Sequence, residues 1–473
     1  MTFVDRDREL ARLEQFWNSG HAECIPVIGR RRVGKTVLLE HFAENKPHVY
    51  YRCRLAHSDE QLPLLGAALA EQSDDSVIRA QPPTTWGAIF ALLEQFAQRS
   101  RFLLVLDELP YWVAKHDQVP SVLQNWWDEW GRHLNLVLII CGSAVQMMER
   151  LLSGEAPLAG CPTGRLSVRP FTYQDAARLL RFPSPVDTLQ AYGILGGVPL
   201  YLSLFNATVS LRDNIARQIV SPSARLYVEP YAVFAAHHQT FDRDDAMRVL
   251  GAIAAGGHQW SDIVARSKVP PTSLGRLLEV LIGDLALVQR FLPVTEEEGS
   301  RTIRTQYRLA DNFFRFWFNF VEPYNGRIEF GGEEEVADAI LARLPEHMGE
   351  SFEEICREWT RIAGHARLLG VEVNRVGSWW TPDHQHQIDV VGLDVRGRVV
   401  VTGECKWQSD GFTVDDLEKY LGHVRALDRD LRPDARHLLF SKTTFAPQVV
   451  AWANQVQARL ITPDVLLEML PGS

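Results

Sequence analysis

The chain has 473 residues, 46% hydrophobic and 23% charged, with a formal net charge of −10. This length predicts about two to four domains with ordinary globular cores, which excludes a disordered chain. The negative balance excludes a protein that coats nucleic acid over its whole surface, but leaves room for a local basic face. The six cysteines, at 24, 53, 141, 161, 356 and 405, include no C-x-x-C pair. Such spacing predicts reduced thiols in a cytoplasmic protein, not a disulfide frame or a zinc site. Met1-Thr2-Phe3-Val4-Asp5-Arg6-Asp7 has no apolar signal region and no run of roughly 18 apolar residues occurs, so no membrane partner is expected.

In chain order, Phe3 to Leu13 leads into a helix whose apolar face includes Leu10 and Leu13. Cys24-Ile25-Pro26-Val27-Ile28 has the texture of a buried strand, and Thr36 to Phe42 carries apolar residues at helical spacing. Between them, Gly29-Arg30-Arg31-Arg32-Val33-Gly34-Lys35-Thr36 fills every fixed position of G-x-x-x-x-G-K-S/T. Gly29 and Gly34 are expected to let backbone N–H groups approach the phosphates of ATP at a helix N-terminus. Lys35 is expected to reach the β- and γ-phosphates, and the Thr36 hydroxyl to ligate Mg²⁺. Val49 to Arg52 reads as extended. Phe102-Leu103-Leu104-Val105-Leu106-Asp107-Glu108 is an apolar strand ending in two acids, Asp107 for the Mg²⁺ shell and Glu108 as general base for water.

Trp126, Trp127 and Trp130 fall in one predicted helix, where core packing is the better reading than a platform for stacking bases. Leu136 to Cys141 is a further strand, followed by Gly142-Ser143. Ser143 is placed either to sense the γ-phosphate or merely to cap the strand. Arg165, before the short strand Leu166-Ser167-Val168, is either an arginine finger acting in cis or in trans across a homo-oligomer, or half of a surface ion pair. Strands alternating with helices predict a parallel sheet covered on both faces.

The head Phe3-Val4-Asp5-Arg6, the loop GRRRVGKT, the strands LLVLDE and LIICGS, and Gly196-Gly197-Val198-Pro199-Leu200-Tyr201-Leu202 together resemble the archaeal-type P-loop ATPases, relatives of the AAA+ and STAND proteins. The resemblance implies an ATPase core over 1–180 and a helical lid over 181–243.

From 244 to 311 the pattern predicts three helices and a hairpin: a winged helix whose third helix, from Pro271, is capped by Thr272 or Ser273. Eight Lys/Arg against nine Asp/Glu give this stretch a net charge of −1. DNA and protein partners therefore both stay open for it, since a DNA reader is expected to be basic. Asn312 to Phe320 reads as a buried helix between domains, opening a helical linker over 312–344.

The last domain, 345–473, is expected to open with an amphipathic helix from Gly349. Ile388 to Asp394 and Arg398 to Trp407 form two β-runs, joined by a tight turn at Arg396-Gly397. Pairing Val395 with Arg398 sets Asp389 opposite Glu404, with Lys406 on the same face two residues along. Two carboxylates and an ammonium suit Mg²⁺ or Mn²⁺ and attack on a phosphodiester. The alternative is a pair of charges on a solvated strand face. This stretch resembles the PD-(D/E)xK nuclease fold, with Asp389, Glu404 and Lys406 in the motif. The resemblance adds Glu353, in Gly-x-x-Phe-Glu, as the helical acid. Gln387 departs from it, standing where relatives carry an acid. The fold class expected for the whole chain is thus α/β: a P-loop NTPase parallel sheet with a helical lid, then a winged helix, then an α/β restriction-endonuclease-like domain. The function expected is an ATP-hydrolysing switch coupled to a metal-dependent DNA nuclease or DNA-binding domain, against a STAND-like module that binds proteins through an inactive domain.

Overall fold

A computed structural model describes residues 6–235, 241–297, 304–427 and 431–468. Phe3, Val4 and Asp5 of the head motif lie outside the described residues. The chain divides into two compact units. The first comprises Met1–Pro170 with the short segments Val198–Leu200 and Gly283–Leu285; the second comprises the remainder.

The first unit is built on five parallel strands: β1 (Glu23–Ile28), β2 (His48–Arg52), β3 (Phe102–Asp107), β4 (Leu136–Gly142) and β5 (Leu166–Ser167). Their order is β2-β3-β4-β1-β5. Every residue of β1, β3 and β4 is buried, as continuous apolar runs covered on both faces require. Because β1, β3 and β4 are parallel neighbours, the loop after β1, the acids Asp107 and Glu108 at the end of β3 and Ser143 after β4 share the carboxyl-end edge of the sheet. Ligands of open parallel sheets bind at that edge. Helix α1 (Lys35–Ala43) follows β1, α2 (Leu109–Val113) follows β3, and α3 (Val119–Glu129) carries Trp126 and Trp127 into the core. Trp130 is past the end of α3 and is 57% exposed, so it is not a core residue.

The second unit contains α4 (Arg243–Ala254), α5 (Trp260–Ser267) and α6 (Pro271–Gly283) up to Ile282, then an antiparallel pair, β6 (Val288–Phe291) with β7 (Gln306–Leu309). Helix α6 begins at Pro271, so Thr272 and Ser273 stand in its first turn and not at its cap; proline suits that first position because its missing N–H is not needed there. Helix α7 (Asn312–Phe320) buries all its residues but Asn319, and the Asp311 carboxylate caps it by accepting the Phe314 N–H at 3.0 Å.

Helix α8 runs without interruption from Glu333 to His365, so the start expected at Gly349 and the boundary expected at 344/345 both fall inside one helix. Its buried stripe Val336, Ile340, Leu344, Met348, Phe352 and Ile355 keeps helical spacing straight past Pro345. Packing along that stripe outweighs one missing backbone bond.

Beyond α8, β8 (Arg375–Trp380), β9 (Gln387–Leu393), β10 (Val399–Lys406), β11 (Leu431–Ser441) and β12 (Arg459–Ile461) form a mixed sheet in the order β12-β11-β10-β9-β8. Helix α9 (Val414–Arg425) lies in the chain between β10 and β11. The turn between β9 and β10 differs from expectation. Asp394, not Val395, faces Arg398, with its N–H bonded to the Arg398 carbonyl at 3.0 Å, and Leu393 pairs with Val399. An irregularity between Val399 and Val401 then shifts the register, and Gly403 pairs with Val390. The longer turn and the bulge offset one another, so one further step along the ladder still sets Glu404 beside Asp389.

The β6–β7 hairpin is built against the edge strand β8. The Val294 N–H bonds the Ser378 carbonyl at 2.8 Å, and Phe291 stacks on Trp380 with ring centroids 5.3 Å apart. Val294 joins the apolar cluster of Trp379, Ile388 and Val391. An edge strand covered this way is closed to further pairing.

Candidate functional sites

At the end of β1, a side chain on Gly29 would meet the Val168 carbonyl oxygen at 2.2 Å, so this glycine is required by the close approach of the chain after β5. Gly34 has φ +93° at the N-cap of α1, a left-handed conformation that glycine adopts without strain. The buried Lys35 ammonium donates to the Gly29 carbonyl at 2.7 Å and the Arg30 carbonyl at 3.0 Å, which holds it inside the loop. Thr36 Oγ1 donates to Asp107 Oδ2 at 3.0 Å, joining the loop to the end of β3.

Asp107 is 1% exposed; its Oδ2 also accepts the Tyr50 phenol at 2.7 Å, while Oδ1 is buried with no hydrogen-bond partner among the described residues. Burial and the adjacent Asp107 carboxylate push the Tyr50 phenol well above its usual range, so it stays a donor. An orphaned carboxylate oxygen beside a threonine hydroxyl fits a hard divalent cation, so Thr36 and Asp107 are suited to hold Mg²⁺ with ATP. Glu108 stands at φ +56° and accepts both the Ser143 N–H at 3.0 Å and the Ser143 hydroxyl at 2.8 Å through Oε2. Gly29, Gly34, Lys35, Thr36, Asp107, Glu108 and Ser143 are thus gathered at one sheet edge. Arg165 is differently engaged: its guanidinium is closed on Glu149 as a two-pronged pair, with both side chains more than a third exposed.

The second cluster lies in the C-terminal sheet. Lys406 Nζ donates to Glu404 Oε1 at 2.6 Å, and Glu404 Oε2 is buried with no hydrogen-bond partner among the described residues. Asp389 Oδ2 accepts the Cys405 N–H at 3.0 Å, and its Oδ1 accepts Gln387 Nε2 at 3.2 Å. Gln387, the departure from the nuclease pattern, therefore supports Asp389 directly. Glu353 reaches the cluster from α8 but is paired with Arg357 at 3.2 Å. Arg357 also donates to Ser378 Oγ at 2.8 Å and to the Asp389 carbonyl at 3.1 Å. Among the described residues, no group of three or more His, Cys, Asp or Glu side chains stands ready around a metal position.

Burial, and then the neighbouring Glu404, raise the Asp389 carboxyl to about 6. Burial, and then Asp389, raise Glu353 to about 7. Burial also raises Glu404, against the pull of Lys406. A carboxyl raised in the folded state contributes stability that is complete below its unfolded value and is lost as pH climbs through the folded one. The metal-free protein should therefore lose stability between about pH 4 and 7, by on the order of 2–3 kcal/mol for Asp389 alone. Calorimetry across that range should show the loss, reduced in Asp389→Asn; identical curves for both proteins would contradict it.

A family model described as an ATPase domain predominantly from Archaea matches residues 3–205. The N-terminal part of the chain is an archaeal-type ATPase domain. A 44-residue stretch is 54% identical to the uncharacterized ATP-binding protein MJ0423 of Methanocaldococcus jannaschii, covering 9% of this chain and 75% of that one. Over 409 residues the chain is 27% identical to the uncharacterized protein MJECL04 of the same organism, covering 86% and 88% of the two chains. The Walker-type ATPase paby2304 of Pyrococcus abyssi is similar in fold at TM-score 0.52 and 20% identity, over 67% of this chain and 96% of that one. Residues 317–419 match a family described as archaea bacterial proteins of unknown function. No helix among the described residues is long and apolar enough to cross a membrane.

Two residues of the ATPase domain escaped the sequence reading. Arg6, 7% exposed, donates to the Val33 carbonyl of the loop and to the Arg169 carbonyl after β5, both at 2.8 Å. Its signal was present in the head motif, but without a role attached. Tyr50 has no sequence signal beyond alternation in β2, which puts it on the face that Asp107 shares.

Proposed function

We propose that this protein is an ATP-driven switch whose C-terminal domain is a PD-(D/E)xK-like, metal-dependent deoxyribonuclease. The ATPase domain binds ATP through the Gly29–Thr36 loop. In it, Glu108 is the base that takes the proton of the attacking water, once Ser143 shifts its two hydrogen bonds towards the nucleotide. Arg165 is proposed as the finger only in a state where it leaves Glu149; its present pairing favours the simpler structural role.

The observation that carries the nuclease reading is the contact set Asp389, Glu404 and Lys406, with a buried carboxylate oxygen of Glu404 left without a hydrogen-bond partner among the described residues. Asp389 and Glu404 would hold Mg²⁺ or Mn²⁺, which supplies charge to polarise a phosphodiester and a water. Lys406 orients that water, and Glu353 takes part once released by Arg357. Raised carboxyls support the assignment, because desolvated carboxylates crowded together are costly unless a cation balances them. Titration of Mn²⁺ into the full chain carrying Lys35→Ala, followed by electron paramagnetic resonance, tests this. One bound ion lost on Asp389→Ala is expected; no bound ion would overturn the assignment.

The pairing of Glu353 with Arg357, and the use of the hairpin to cover β8, favour a second reading. In it the C-terminal domain is an inactive, protein-binding module of a STAND-like ATPase. Both readings share one expectation for α4 to α6 and the β6–β7 hairpin, proposed here as a winged helix. With a net charge of −1 and its hairpin committed to β8, it contributes few phosphate contacts. Removing the exposed Lys268 and Arg276 together should change the slope of log affinity against log salt for DNA by less than about 1, where two true phosphate contacts predict about 1.8. A change near 2 would show that it reads DNA.

A further inference from the structure

Asp107 is held from two sides. Thr36 donates to its Oδ2 from the start of α1, and Tyr50 donates to the same oxygen from β2. In the parallel register Tyr50 lies beside Val105 and Arg52 beside Asp107. Tyr50 is thus the diagonal neighbour of Asp107, a span that a tyrosine side chain covers and a shorter one does not. Arg52 Nε stands farther from Oδ2, at 3.7 Å. With two donors on Oδ2, the carboxylate cannot exchange its oxygens without breaking both bonds. Oδ1, buried and without a hydrogen-bond partner among the described residues, is therefore kept pointing elsewhere.

The two donors are not equivalent. A threonine hydroxyl has one hydrogen and two lone pairs, so Thr36 can donate to Asp107 while offering a lone pair to a cation. Tyr50 has no such second duty in the loop chemistry. From this we infer that Tyr50 is a positioning residue of the ATPase reaction, orienting Asp107 so that Oδ1 meets the hydrated Mg²⁺ that accompanies ATP. The assignment rests on the ATPase reading and adds to it a residue outside the phosphate-binding motif. Tyr51, the next residue, is turned the other way, with its hydroxyl on Gln61, and serves as the matched control position.

The test compares ADP affinity in EDTA and in Mg²⁺ for the parent and for Tyr50→Phe, which removes one hydroxyl and no volume. Affinity in EDTA is expected to match the parent, and the variant should remain folded at the assay temperature despite the lost hydrogen bond to the buried carboxylate. The gain in affinity on adding Mg²⁺ should fall about tenfold, the low end for a hydrogen bond to a charged group. Asp107→Asn should lose the same gain, and Tyr50→Phe placed on that background should subtract nothing more, because the phenol acts only through the carboxylate. Tyr51→Phe should keep the gain. An undiminished gain in Tyr50→Phe, or losses that add in the double variant, would overturn the role. A parent that binds no ADP at all would instead overturn the ATPase reading, and this role with it.

Discussion

Lys35→Ala is expected to weaken ATP binding by about 100-fold, since the β- and γ-phosphates lose their principal cation and a charged hydrogen bond contributes on the order of 1.5–3 kcal/mol. Lys35 is 5% exposed and is held by two loop carbonyls, so it is already aimed within the loop and little ordering remains to be done on binding. Glu108→Gln should separate binding from turnover. Glutamine keeps an oxygen for Ser143 and thus the local geometry, but cannot take a proton; kcat should drop by about 100-fold or more with Kd for ATP unchanged. Titration calorimetry and phosphate release measure the two quantities. Parental turnover in Glu108→Gln would move the base elsewhere.

The second large effect concerns Lys406. Its ammonium sits 2.6 Å from Glu404 Oε1 and is 25% exposed, between the buried carboxylates and solvent. Burial acts to lower its pKa, but Glu404, Asp389 and Asp416 together outweigh this and the ammonium is held protonated above its ordinary range. In the proposed nuclease reaction Lys406 would therefore orient and stabilise charge at neutral pH rather than serve as a free base. Lys406→Ala should cut Mn²⁺-dependent DNA cleavage by at least about 100-fold, and Lys406→Arg should rescue only part of that, because a planar fork does not reproduce a compact point charge. Asp389→Ala should abolish both cleavage and metal binding. Full rescue by arginine would reduce Lys406 to a structural counter-ion.

Much of the ATPase site was legible in the sequence because its parts are local. Fixed spacing between Gly29 and Thr36, and an apolar strand ending at Asp107, leave few alternatives for where those groups go. The carboxylate and lysine of β10 were equally legible, since period-two alternation places Glu404 and Lys406 together whatever the fold. Pairing them with Asp389 was right for an incomplete reason, as the extra turn residue and the bulge at Val399 to Val401 compensate. What stayed hidden is long-range. Nothing local tells that Arg357 will take Glu353, that the β6–β7 hairpin will cover β8, or that Tyr50 will reach Asp107. The helix start expected at Gly349 failed because a buried stripe on both sides of Pro345 carries α8 through from Glu333.

Plasmid nicking measured with Mn²⁺ in ATP, in ADP and without nucleotide tests most directly whether nucleotide state governs metal-dependent cleavage. The parent should nick at rates that differ between ATP and ADP, Lys35→Ala at one rate in all three conditions, and Asp389→Ala not at all. Nicking that persists in Asp389→Ala, or no cleavage of any DNA form by the parent under all three conditions, would contradict these expectations.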